Sequence, residues 1–315
     1  MSIVVDPDMQ VILTELRSRT APDPRSLPIA EARAAFENGH RIWNEPRLPI
    51  GEVEDLTIDG DGGQLGLRLY LPDGEAPTPV ILYAHGGGWT FGSLDSHDGL
   101  CRNLAKASRC SVLAVDYRLA PEHPFPAPND DVSAAIRFVL RGGLGERADT
   151  RRLGVAGDSA GANLVLSALI AMRERGDRSV CAGGLFYGCY TPSFDGESQK
   201  RLGDGSFLLT TDAQRWFWGN FLGGALPAEA DPLAAPLHAD LSGLPPLYLC
   251  AAGLDPLMDD TLALCDRLAS AGVPYRFDFF PGVVHGFLRM TPRLEAARKV
   301  MRQAAAFFRD AFDLH

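Results

Sequence analysis

A serine lies among small residues at Gly157-Asp158-Ser159-Ala160-Gly161, after the apolar run Leu153-Gly154-Val155-Ala156 and at the start of a second apolar stretch. A strand that turns sharply into a helix at such a serine lifts the hydroxyl out at the edge of a sheet. Only very small side chains fit on either side of that turn, hence Gly157 and Gly161. A hydroxyl held there is placed for nucleophilic attack, provided that a base takes its proton and something stabilises the charge that develops.

The second need points upstream, to His85-Gly86-Gly87-Gly88, which directly follows the apolar run Val80–Ala84. Attack on a carbonyl builds a tetrahedral oxyanion, and successive glycines let backbone N–H groups approach it without obstruction from side chains. Two of Gly86, Gly87 and Gly88, together with the amide of Ala160, are the expected donors. His85 suits a hydrogen bond that stabilises this loop at least as well as a catalytic role.

The base must be a histidine from elsewhere in the chain. Downstream of Ser159 stand only His238, His285 and His315. His315 is the last residue and His238 lies in a Pro- and Ala-rich loop, whereas His285 sits in a Gly-flanked loop just after an apolar strand-like run. His285 is therefore the expected base. A carboxylate that orients it should follow the preceding strand, and Leu247–Ala251 leads into Gly253-Leu254-Asp255-Pro256-Leu257-Met258-Asp259-Asp260. Asp255 comes first and is the expected partner. Asp259 and Asp260 read better as first-turn residues of the next helix, where they complement its dipole, and Asp259 is kept as the alternative acid.

Other chemistry has less to stand on. Asp116 and the pair Asp130-Asp131 have no His or Cys clustered with them, and adjacent helical residues point to different faces. No P-loop or zincin motif occurs, and Gly60-Asp61-Gly62-Gly63 lacks the following helix that a dinucleotide site needs. The expectation is no cofactor and no metal. Thirty Lys and Arg against forty Asp and Glu leave a net charge of −10, which argues against nucleic acid or an anionic membrane as partner. No apolar run reaches the roughly 20 residues needed to span a bilayer, and Met1–Gln10 has no basic start, so a cytoplasmic location is expected. The six cysteines sit mostly in apolar runs without a CxxC pair and read as buried free thiols.

These residues need a frame that brings positions some 200 residues apart in sequence together. Short runs rich in Val, Ile, Leu, Tyr and Phe alternate with amphipathic stretches, the pattern of a mainly parallel sheet covered by helices. The expected strands are Glu52–Ile58 and Leu65–Leu71, as an antiparallel hairpin, then Val80–Ala84, Val112–Val115, Leu153–Gly157, Gly183–Tyr187, Pro246–Ala251 and Tyr275–Phe280. The expected helices are His97–Ser108, Asn129–Arg141, Ala160–Glu174, Asp259–Ala271 and Pro292–Phe312. Residues 1–50 form helical segments broken at Ala21–Pro28, and 191–224 interrupt the rhythm with a loop and an aromatic helix. Both are expected to form a helical cap on one catalytic domain, 51–315, with 191–224 inserted into it. A homodimer through the exposed edge beside the last strand is compatible with the sequence, which carries no direct sign of one.

With these residues in hand the chain resembles the hormone-sensitive-lipase-like esterases, bacterial family IV of the α/β-hydrolase fold. The resemblance rests on His85-Gly86-Gly87-Gly88-Trp89, on Asp116-Tyr117-Arg118-Leu119-Ala120-Pro121-Glu122 with Pro124-Phe125-Pro126, on Gly157–Gly161, on Asp255-Pro256-Leu257 and on His285-Gly286-Phe287, in the family's order over about residues 50 to 310. It implies a serine carboxylester hydrolase. Within the family, Gly161-Ala162-Asn163-Leu164, Phe186-Tyr187-Gly188 and Asp204–Thr210 look similar to the acetyl-esterase branch. That implies small, uncharged esters with short acyl chains, acetyl to butyryl or hexanoyl. Ala162 departs from the commoner pattern, which continues the elbow with two glycines. Arg118 and Glu122 are expected to pair and hold the loop near the site. Trp89, Phe207, Leu208 and Trp216, with Phe217 and Trp218, are candidates for the substrate pocket. The competing functions are an amidase or deacetylase on the same residues, and a non-catalytic ligand-binding homologue.

Overall fold

The computed structural model describes residues 4–19, 22–74, 76–226 and 229–314; Ala21 and His315 lie outside them. Eight strands form one sheet in the order β1-β2-β4-β3-β5-β6-β7-β8. They are β1 Glu52–Gly60, β2 Gly63–Leu71, β3 Thr78–Ala84, β4 Ser111–Asp116, β5 Ala148–Asp158, β6 Val180–Phe186, β7 Leu247–Leu254 and β8 Tyr275–Val284. β1 and β2 form the expected antiparallel hairpin, and β2 is also antiparallel to β4. All pairings from β3 onward are parallel.

Central strands such as β3 are buried along nearly their whole length, because both faces of the sheet are covered. On one face lie α4 Ala127–Leu140, α5 Ala160–Glu174 and α8 Met258–Ser270; on the other lie α3 Asp98–Ser108 and α9 Glu295–Ala311. α5 shows why an apolar stretch can be helical without an evident stripe: it is buried on nearly every side. α9 instead turns Ala297, Val300, Met301, Ala304, Phe307 and Phe308 inward and keeps Arg and Lys outside.

The first 50 residues supply α1 Pro7–Ser18, capped by the Asp6 carboxylate, and α2 Ile29–His40. α1 buries Met9, Ile12 and Leu13 in the core near β8. Arg33 of α2 pairs with both Glu122 oxygens at 2.9 and 2.6 Å and donates to the carbonyls of Thr90 and Ala120. Residues 191–224 contain two helices, α6 Glu197–Leu202 and α7 Thr211–Phe221, rather than one. The six cysteines are free thiols, all buried except half-buried Cys181. Among the described residues no helix is long and apolar enough to cross a membrane, and no group of three or more His, Cys, Asp and Glu is placed to hold a metal ion.

Candidate active site

Four strands end within one residue of a candidate side chain. β3 ends at Ala84 before His85, β5 at Asp158 before Ser159, β7 at Leu254 before Asp255, and β8 at Val284 before His285. Parallel strands bring their carboxyl ends to one edge, so residues distant in sequence meet there.

At the end of β5 the chain turns into α5 through Ser159, whose φ of 53° and ψ of −119° are unusual for a residue with a side chain. The turn is as tight as its composition suggests. A methyl on Gly157 would lie 2.4 Å from the Gly161 backbone, and one on Gly161 would lie 2.0 Å from the Ala84 carbonyl. The hydroxyl of Ser159 lies 2.9 Å from His285 Nε2, and His285 Nδ1 lies 2.7 Å from Asp255 Oδ2. The other oxygen of Asp255 accepts from the amide of Leu257 at 2.8 Å. Asp255 is fully buried while the His285 side chain keeps 15% exposure. With Nδ1–H on the carboxylate, Nε2 is left to accept the serine proton. Asp259, the alternative acid, instead caps α6 by accepting from the Ser198 amide at 2.8 Å.

A bulge aligns this pair. β7 and β8 are offset by 28 residues at Ala252↔Phe280 and by 30 at Leu254↔Val284. The extra residues on β8 put His285 beside Asp255, which the uninterrupted register would not. Gly253 permits the irregularity, since a methyl there would fall 2.4 Å from the Pro281 carbonyl.

The glycine loop narrows one expectation. Gly86 donates its N–H to Asp158 Oδ1 at 2.9 Å, so it is not a free donor. The amides of Gly87, Gly88 and Ala160 donate to nothing among the described residues. His85 donates from Nδ1 to the Gly86 carbonyl at 2.9 Å and stacks on Tyr117 at 4.2 Å. Burial pushes its imidazole down to about 3, which leaves it neutral. His85 is thus a loop support.

Arg118 and Glu122 do not pair, contrary to expectation. Arg118 forms two hydrogen bonds from its side chain to Asp131 of α4, while Glu122 goes to Arg33. The segment around them still braces the loop: Tyr117 donates to the His85 carbonyl at 2.7 Å, and the Ala120 amide to the Trp89 carbonyl at 2.8 Å.

Aromatic side chains from both flanking segments meet above the glycines. Phe36 of α2 stacks on Phe91 at 5.4 Å, and Phe91 touches Trp216 and Phe217 of α7 at 5.8 and 5.6 Å. Phe217 lies on Gly88 so closely that a methyl there would be 2.3 Å from the ring. Of the pocket candidates, Trp216 and Leu208 retain exposure, while Phe207 is buried in the core. Trp89 is a correction. It is 1% exposed and stacks on Phe221 at 4.2 Å, so it packs in the core and not in an open pocket. Phe36 and Phe91 were not among the sequence candidates, because nothing local marks which aromatics of two distant segments will converge.

An eight-stranded, mainly parallel sheet with a serine elbow and a histidine and aspartate at neighbouring strand ends defines a hydrolase of the α/β type. Residues 81–289 match the family described as alpha/beta hydrolase fold. The chain is 36% identical to esterase LipI of Mycobacterium tuberculosis over 92% of its length and 95% of that protein. It is 39% identical to carboxylic ester hydrolase LipN of the same organism, over 91% and 77%. Among solved structures it is similar to an esterase from Pyrobaculum calidifontis, with a TM-score of 0.90 and 35% identity over 97% and 98% of the two chains. The chain belongs to the hormone-sensitive-lipase-like esterases of the α/β-hydrolase fold.

Proposed function

We propose that the protein is a serine carboxylester hydrolase that turns over small, short-acyl esters through an acyl-enzyme on Ser159. The observation that carries this reading is the continuous hydrogen-bonded line Ser159–His285–Asp255, next to three uncommitted amides. The Ser159 hydroxyl adds to the ester carbonyl as its proton passes to His285 Nε2, and the resulting oxyanion is held by the amides of Gly87, Gly88 and Ala160. Asp255 stabilises the imidazolium through Nδ1–H without taking its proton. Collapse breaks the ester C–O bond, and the departing alcohol takes the proton from His285. A water then gives a proton to His285 and adds to the acyl carbon, and Ser159 leaves with that proton to release the acid.

Residues 1–50 and 191–224 act in this reading as a cap on the catalytic domain. What supports a short acyl group is the crowding of Phe217 on Gly88 and of Phe91 between Phe36 and Trp216. Hydrolysis of p-nitrophenyl acetate, butyrate, octanoate and palmitate by wild type and Ser159→Ala tests both parts. Activity highest on acetate or butyrate and lost in the variant is expected. Turnover retained in Ser159→Ala would overturn the mechanism, and rates still rising beyond octanoate would overturn the short-acyl preference.

A further inference from the structure

One buried carboxylate at the site takes no part in the Ser159–His285–Asp255 line. Asp158, the variable position of the elbow, is 2% exposed and sits between the glycine loop and the residues behind His285. Its Oδ1 accepts from the Gly86 amide at 2.9 Å and from the Tyr83 hydroxyl at 2.8 Å. Its Oδ2 accepts from the Tyr187 hydroxyl at 3.4 Å. Tyr187 in turn packs edge-on against the His285 ring, centroids 5.1 Å apart. Around it His97 Nε2 comes within 3.3 Å of Oδ1, out of line for a hydrogen bond.

We propose that Asp158 is a positioning residue: its carboxylate fixes the Gly86–Gly88 loop with the Gly87 and Gly88 amides aimed at the oxyanion, and steadies the His285 ring through Tyr187. The reason lies in the backbone. The Gly86 amide is a fixed point directly ahead of the next two amides, and Gly86–Gly88 have no side chains of their own to orient them. The neighbours are donors, so an ionised acceptor suits the place, and an amide would turn an N–H toward one of them. Burial by itself would push the Asp158 carboxyl up. The nearby His97 and Arg289 side chains and the Tyr83 hydrogen bond outweigh this and hold it well below the usual carboxylate range.

The inference rests on the proposed serine mechanism, and Asp158→Asn separates the two. Its kcat, normalised to sites titrated with a phosphonate, is expected to fall about 10²–10³-fold, the cost of a lost oxyanion donor. KM should change little. The inhibition constant of a trifluoromethyl ketone, which forms an oxyanionic adduct on serine, should rise in step with the fall in kcat/KM. A structural role alone would lower Tm and leave kcat per titrated site and the ketone affinity as in wild type, and that result would overturn the proposal. Should Asp158→Asn not fold, Tyr83→Phe combined with Tyr187→Phe decides: lower kcat at unchanged KM supports the role, and unchanged kcat overturns it. An active Ser159→Ala would instead contradict the mechanism on which the proposal is built.

Discussion

His85 and His285 both follow strands of one sheet edge, yet their surroundings suit them to different work. His85 is fully desolvated, spends its Nδ1–H on the Gly86 carbonyl and stays neutral. His285 has a carboxylate on one nitrogen and a serine on the other. On the proposed mechanism His285→Ala should lower kcat by about 10⁴–10⁶-fold. His85→Asn, whose amide can replace the Nδ1 donor, should stay within roughly tenfold, since loop positioning alone is at stake. Titrated kcat values on p-nitrophenyl butyrate check both, and comparable losses would refute the distinction. Much at this scale could be read in advance, because a carboxylate or histidine directly after an apolar run lands at the sheet edge. The partners of Arg118 and Glu122 could not. Their pairing was expected from the resemblance alone, and the segment that carries them, with Pro121 and Pro124, is irregular. Arg118 reaches α4, and Glu122 reaches a residue nearly 90 positions upstream. Asp158 was equally hidden, because spacing marks a motif's variable position as free.

At the scale of elements, the strand ends decide the chemistry. β8 runs to Val284 rather than stopping near Phe280, and the extra length is the bulge that sets His285 beside Asp255. Its irregular stretch, Pro281-Gly282-Val283, has no alternation that would announce a strand, so the sequence pattern ends too early. Gly253→Ala should force β7 from β8, lowering Tm and reducing kcat by about 10²-fold through displacement of the pair. Unchanged kcat in that variant would show that the bulge does not set the alignment. Arg33→Ala removes two carboxylate bonds and two carbonyl bonds between α2 and the loop beyond the glycines. A loss of about 1–3 kcal/mol in denaturant unfolding is expected, discounted because Glu122 is 44% exposed. Glu122→Gln, which leaves the carbonyl contacts in place, should lose less. Equal losses would place the whole effect in the ion pair. Helix was expected in both residues 1–50 and 191–224, although the second holds two helices where one was expected. Their meeting at Phe91 was not expected, because it depends on contacts between segments about 180 residues apart.

Over the whole molecule, stability carries a charge that folding handles poorly. Burial pushes the Asp260 carboxyl up to about 7, against the lowering effect of the Tyr190 and Thr191 amides that donate to it. The folded state therefore holds a proton that the unfolded chain has released above about pH 4. Stability contributed by this group is fully present below that point, falls as pH rises toward 7, and is flat beyond. Asp260→Asn keeps an acceptor and abolishes the titration, so its Tm relative to wild type should be more favourable at pH 8 than at pH 5. A pH-independent difference would show that Asp260 titrates normally.

The central claim is that Ser159 is the residue acylated, with His285 as its base. Mapping a fluorophosphonate adduct by peptide mass spectrometry tests it most directly. One adduct per chain on Ser159, forming orders of magnitude more slowly in His285→Ala, is the predicted result. Modification at another residue, or labelling of Ser159 at the wild-type rate without His285, would contradict it.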